Sequence, residues 1–220
     1  MIPKQLEQIT EDDLQRLIGT SEDRQLEFKE NLGGSDEQVK EFLKDVSAMA
    51  NAIGGDILYG VVEGVNADGN TVAQVIQGIS GENSDDATLR LDNLIRDCIK
   101  PRLMGVGIRP LQLTNTNTVF IVRVPRSWNA PHLVDRRGHW RFYYRDSAGT
   151  HPMDITELRH AMTFSDTLGH RLEEFRLDRL AKVATDGVLE RGPKLVLHFQ
   201  PLSSVQLDLP IDSRRSLVQP

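Results

Sequence analysis

The sequence predicts an α+β fold, a mixed or antiparallel sheet with flanking helices, and three observations predict it. Leu26-Glu27-Phe28-Lys29 alternates apolar and polar residues, the period of a strand with one buried face. Val39, Phe42, Leu43, Val46, Met49, Ala50 and Ile53 instead recur at helical spacing, as do Leu91, Leu94, Ile95, Cys98 and Ile99. Two further apolar runs, Val106–Leu113 and Thr118–Val124, flank Thr114-Asn115-Thr116-Asn117 in the manner of a hairpin.

Each element has its own local cause. Thr10 is placed to cap a short helix through about Ile18, because Glu11, Asp12 and Asp13 put negative charge in its first turn. After the Leu26–Lys29 strand, whose Glu27 and Lys29 are expected on its open face, Ser35 and Gln38 form a capping box for the long helix. Gly54-Gly55 ends that helix, the first glycine being free to take a left-handed conformation. Asp56–Val62 reads as one buried strand with Glu63 at its exit, and Gly64–Asn70 as a turn. Ser84-Asp85-Asp86 opens the second amphipathic helix, which Pro101 stops.

A Gly138-centred turn leads into His139–Arg145, where alternation sets Trp140, Phe142 and Tyr144 on one face and Arg141, Tyr143 and Arg145 on the other. Pro152-Met153-Asp154 opens a helix through about Met162. A separate amphipathic helix is expected over Ser165–Val183, a strand over Pro193–Pro201 and a linker at the end. The expected organisation is thus one domain over residues 1–162 and a helix-strand extension, or the start of a second domain, over 163–220.

Composition narrows the class. Hydrophobic residues at 39% and charged residues at 26% are those of an ordinary globular protein. No apolar run approaches the ~18 residues of a membrane span, and the start lacks the basic-then-apolar order of a signal peptide, so a cytoplasmic location is expected. A single cysteine, Cys98, excludes disulfides and a cysteine zinc site. Six histidines without an HExxH string give no zinc motif either, and His132 is left as an acid, a base, a phosphate contact or a local hydrogen-bonding group. The glycines lack the Lys-Ser/Thr of a nucleotide P-loop.

The net charge of −6 argues against a general nucleic-acid coat, but its distribution is uneven. Residues 1–31 carry four Lys and Arg against eight Asp and Glu, whereas residues 121–150 carry six Arg against Asp135 and Asp146. An acidic cluster beside a basic stretch suits a metal-dependent enzyme acting on a polyanion, or else two unrelated solvated faces. Glu22 and Glu27 lie five residues apart, about 140° apart on a helix and on opposite faces of a strand. They converge only if the chain turns at Thr20–Asp23.

The ordered strings Glu22-x-x-x-x-Glu27-Phe28-Lys29, Val46-Ser47-Ala48-Met49-Ala50-Asn51-Ala52-Ile53-Gly54-Gly55 and Gly60-Val61-Val62-Glu63 resemble the Schlafen AlbA-type domain. Pro131-His132 and Tyr143-Tyr144-Arg145 resemble its bacterial members. The resemblance implies a three-carboxylate metal site on Glu22, Glu27 and Glu63, holding Mg²⁺ or Mn²⁺. The third position usually carries aspartate, where this chain has glutamate.

The activity so implied is a metal-dependent endonuclease acting on structured RNA such as tRNA. On the residues themselves, Lys29 would neutralise the scissile phosphate or form a surface salt bridge; Arg123, Arg141, Arg145 and His132 would contact phosphates and Tyr143 stack on a base, or else the arginines lie in water and the aromatics in the core. The alternative is a non-catalytic nucleic-acid-binding or regulatory module. A single lobe with no internal repeat further implies a homodimer that shares its substrate groove.

Overall fold

The computed structural model describes residues 1–67 and 69–185. A central sheet has the order β1 (Leu26–Lys29), β2 (Gly55–Tyr59), β7 (Thr118–Val124), β6 (Gly107–Gln112). β1 runs parallel to β2, and the other two pairings are antiparallel. The parallel pair is bridged by α2 (Asp36–Asn51), the crossover that parallel strands require. A second sheet has the order β10 (Gly149–Pro152), β9 (His139–Asp146), β8 (Leu133–Arg136), β5 (Ile99–Lys100). β3 (Val61–Val65) and β4 (Thr71–Ile76) form a separate hairpin.

Strand parity assigns the two faces of the central sheet to two cores. Ile57, Tyr59, Phe120, Val122 and Val124 join Phe42, Val46 and Met49 of α2 and Leu91 and Ile95 of α3 (Ser84–Cys98). Leu26, Phe28, Leu58 and Ile121 join Ile2, Ile9 and Leu14 of the N-terminal segment and Val61, Ala73 and Ile76 of the β3–β4 hairpin. At β1 this parity turns Phe28 toward the second core and Glu27 toward α2.

The Ser35 cap holds as the sequence suggests, with the Gln38 N–H donating to Ser35 Oγ and Gln38 Oε1 accepting from the Ser35 N–H. Gly54 takes φ +77°, where a Cβ would meet Arg126 N and Val124 O at 2.7 Å. The hairpin of β6 and β7 closes across Leu113 and Asn117.

Four boundaries differ from expectation. Asp56–Val62 is not one strand: Gly60, at φ +96° and packed on the Gly78 backbone, separates β2 from β3. α1 covers only Glu11–Gln15 and tightens into short-range bonds at Leu17 and Ile18. Asn83, not Ser84, caps α3 by accepting from the N–H groups of Asp85 and Asp86. α4 runs unbroken over Ile155–Thr185, since nothing between Met162 and Ser165 is a glycine or proline that would end it.

By its packing the chain divides into Met1–Ala161 and Met162–Pro220. The strand expected at Pro193–Pro201 and the terminal linker lie outside the described residues. No helix among the described residues is long and apolar enough to cross a membrane.

Candidate functional site

Between β1, α2 and the β9–β10 hairpin lies a cleft of about 620 Å³, lined by Glu22, Glu27, Lys44, Asp45, Arg145 and Asp146 among others. The parity that buries Phe28 delivers Glu27 to this cleft, but not to an open face as expected. Glu27 is only 7% exposed, because α2 covers that side of β1. Its Oε1 accepts from Lys29 Nζ, and its Oε2 pairs with Arg145 Nη2 at 2.6 Å.

Arg145 reaches the cleft from β9 and is itself buried, against the expectation of a solvent-facing arginine. Its guanidinium also donates to the carbonyls of Asp23 and Leu26 and to Thr150 Oγ1. The odd-numbered face of β9 turns toward α2, where Tyr143 packs against the core while Trp140, on the even face, is 70% exposed.

The turn required near residue 22 is present. Ser21 bridges to Val72 and Asp23 to Leu26, and Glu22 Oε1 accepts from the Phe28 N–H at 2.8 Å. Burial raises the Glu22 pKa above the ordinary value, and the neighbouring Glu27 and Glu63 raise it further. Glu63 lies within β3, not at a strand exit, beside a register shift that skips Gln74 on β4. Burial, opposed by Lys29 and reinforced by Glu27, raises its pKa as well. Burial alone would lower the Lys29 pKa, yet Glu27 beside it holds the ammonium above its ordinary value, so Lys29 stays charged.

Lys44 and Asp45 are among the cleft residues not singled out from the sequence. Lys44 lines the wall from α2. Asp45, one residue on, is 2% exposed, and its Oδ2 has no hydrogen-bond partner. Burial first, and then the charge of Glu27, push its pKa up to about 7. Its sequence signal was available: Asp45 stands three residues after Phe42 and four before Met49, on the apolar stripe of α2, where an acid is out of place.

Carboxylate oxygens are the donors a hard divalent cation takes, and the buried, partnerless Asp45 Oδ2 is the kind of oxygen such an ion would satisfy. The donor chemistry therefore fits Mg²⁺ or Mn²⁺. Among the described residues, however, no three His, Cys, Asp or Glu side chains already converge on one ion position. Glu22, Glu27 and Glu63 feel one another's charge without forming a preassembled cage, because Glu27 is held by Lys29 and Arg145.

The remaining candidates lie elsewhere. Arg123 is bound to Asp56 at 2.7 and 2.9 Å and to the Ile2 and Lys4 carbonyls, which fastens the N-terminal segment and leaves nothing for a phosphate. His132 is fully buried, between the Pro101 carbonyl at 2.8 Å and Ser127 Oγ at 2.6 Å, and burial lowers its pKa. It braces a loop and has no route to a substrate. Tyr143 is half-buried with its hydroxyl on His139 Nε2. Arg141 is exposed on β9 and is not part of the cleft lining.

The profile of the family Schlafen, AlbA_2 matches residues 22–154, which hold every cleft residue named above. No curated protein matches the chain. Among solved structures, the chain is similar to the N-terminal domain of an ATP-dependent DNA helicase RecG-related protein from Nitrosomonas europaea. The two are 24% identical, the match covers 52% of this chain and 71% of that one, and the TM-score is 0.40. With the profile spanning more than half of its length, the chain belongs to the Schlafen AlbA_2 family.

Proposed function

We propose that the cleft acts on nucleic acid as a metal-dependent endonuclease, with structured RNA such as tRNA as its substrate. The observation that carries this reading is the gathering of Glu22, Glu27 and Asp45 in one cleft with Lys44 and Arg145 beside them. Carboxylates without cations would repel a phosphodiester, and cations alone would only bind it.

In this reading Mg²⁺ or Mn²⁺ is held by carboxylates drawn from Glu22, Glu27 and Glu63. When bound, the ion activates a nucleophile and stabilises charge on the phosphoryl oxygens. Lys29, kept charged by Glu27, balances negative charge at the cleft floor. Lys44, on the wall, and Arg141, exposed on β9 outside the lining, meet the substrate backbone. Arg145 acts from beneath by fixing Glu27 against β1.

A tRNA pool incubated with the protein tests this reading. Cleavage should require Mn²⁺ or Mg²⁺, cease with chelator, and cease with Glu22→Gln or Glu27→Gln while RNA binding persists. Absence of cleavage with any divalent ion, with binding intact, would favour the second reading, a non-catalytic nucleic-acid-binding module. The double pairing of Glu27 with Lys29 and Arg145 favours that second reading. Assembly as a homodimer belongs to the proposal too. α4 exposes Met162, Leu177 and Leu180, apolar side chains that a second copy would cover, and light scattering should report twice the chain's mass.

A further inference from the structure

The β8–β9 hairpin ends in a tip whose two faces differ. Arg136 and His139 pair across Arg137-Gly138, which both take positive φ, +48° and +78°. These are the signs of a two-residue type I′ turn, where asparagine or glycine is ordinary, and an arginine there presents its guanidinium from a fixed bend. At residues 135–136 and 139–140 the two strands pair only with each other among the described residues, past the ends of β5 and β10. On the α2 side the tip is fastened: Asp36, the first residue of α2, pairs with Arg136 and Arg137 at 2.8 and 3.0 Å.

On the opposite side the even-numbered residues of β9 form an aromatic row, Trp140, Phe142 and Tyr144, spaced about 7 Å apart along the strand. His151 of β10 extends the row, its ring edge-on to Tyr144 with centroids 6.2 Å apart. Neither hydrophobic core takes in any of the three β9 rings, whereas Tyr143, between them on the other face, packs against the first core. Three rings outside the cores on one strand, led by the exposed Trp140, make a surface that the described packing of the chain does not use.

We propose that this aromatic face stacks the unpaired bases of a single-stranded stretch of RNA. The tip carries the charge such a strand requires. Residues 135–142 hold Arg136, Arg137 and Arg141 against Asp135 alone, and Arg141 is exposed. Asp36 is shared by Arg136, Arg137 and Lys40, three cations on one negative charge. Aromatic faces beside cations are what successive bases stack on, whatever their sequence. The row lies on the side of the second sheet turned away from α2 and the cleft, so the inference requires neither a metal nor cleavage. It also moves base stacking from Tyr143, which packs against the core, to the residues on either side of it.

The test is the affinity of the full chain, in chelator, for a fluorescein-labelled oligouridine, measured by anisotropy beside an abasic strand with the same phosphates. The wild type should bind oligouridine about tenfold or more tightly than the abasic strand. Trp140→Ala should weaken oligouridine binding about tenfold while changing the abasic strand by less than about twofold. Trp140→Phe should restore most of that loss, and Trp140→Leu, apolar but without a ring, should not. Equal affinity of the wild type for both strands, unchanged binding by Trp140→Ala, or equal losses for the Phe and Leu variants overturns the stacking face. A loss carried by Lys44→Gln in place of Trp140→Ala puts the strand in the cleft, which overturns this inference and leaves the metal-dependent reading standing. No binding of oligouridine by the wild type also overturns it and gives the row to a protein partner. Absence of tRNA cleavage with oligouridine binding intact removes the cleft reading alone.

Discussion

Two buried carboxylate–arginine arrangements sit on opposite faces of the same sheet. Asp56 is fully buried on β2, and both its oxygens are engaged: Oδ1 by Arg123 Nε, Oδ2 by Arg123 Nη2 and the Ile2 N–H. On the α2 side, Glu27 of β1 is doubly paired with Arg145 and Lys29, whereas Asp45 of α2 keeps an oxygen without a hydrogen-bond partner. Burial of charge is common to both, so it does not mark a site. What separates a structural clamp from a candidate site is whether every polar atom already has its partner.

Breaking the closed clamp should have the largest effect. Arg123→Met leaves Asp56 charged and buried without its partner, and urea unfolding should report a loss of about 3–5 kcal/mol. The same exchange in the open cleft, Arg145→Met, should cost less, about 1–3 kcal/mol, because Glu27 retains Lys29. Equal losses for the two variants would erase the distinction.

Titration sharpens the contrast further. The Asp45 pKa is raised from 3.8 to about 7, so the folded chain holds a proton that the unfolded chain releases. Metal-free stability from this group is therefore greatest below about pH 4, falls between pH 4 and 7, and is flat above; Asp45→Asn should remove that slope. Asp13 runs the other way. Hydrogen bonds from Lys4 and Thr10 depress its pKa, so its contribution is complete above about pH 4 and is lost on further acidification.

The smallest effects belong to half-buried Lys44 and exposed Arg141. Lys44→Gln and Arg141→Gln should each flatten the salt dependence of RNA binding by about one unit while changing stability by no more than about 0.5 kcal/mol. An unchanged salt slope would remove that residue from the interface.

Local signals made part of this molecule legible in advance. The Ser35–Gln38 box, the apolar stripe of α2 and the turn between β6 and β7 are each determined by residues close in sequence, and the structure keeps all three. The Gly60 break was hidden because its cause, the Gly78 backbone against its Cα, lies 18 residues away. β4 carries no strong turn or capping signal of its own and forms by pairing with β3. At the site, Glu27 and Lys29 were correctly placed on one face, but which element covers that face is decided by tertiary packing. Arg145 was read among surface arginines for the same reason. Only the docking of α2 on the odd-numbered side chains of β9 makes it interior.

The clamp at Asp56 also bears on the order in which the chain can assemble. Arg123 holds the carbonyls of Ile2 and Lys4 across 121 and 119 residues, and Arg109 holds those of Leu6 and Ile9 across 103 and 100. During vectorial synthesis, therefore, residues 2–9 leave the ribosome long before their anchors are made. The second core, to which Ile2 and Ile9 belong, closes only once β6 and β7 have emerged. Contacts of such sequence separation are slow to form, so residues 2–9, although made before β6 and β7, find their place only after them.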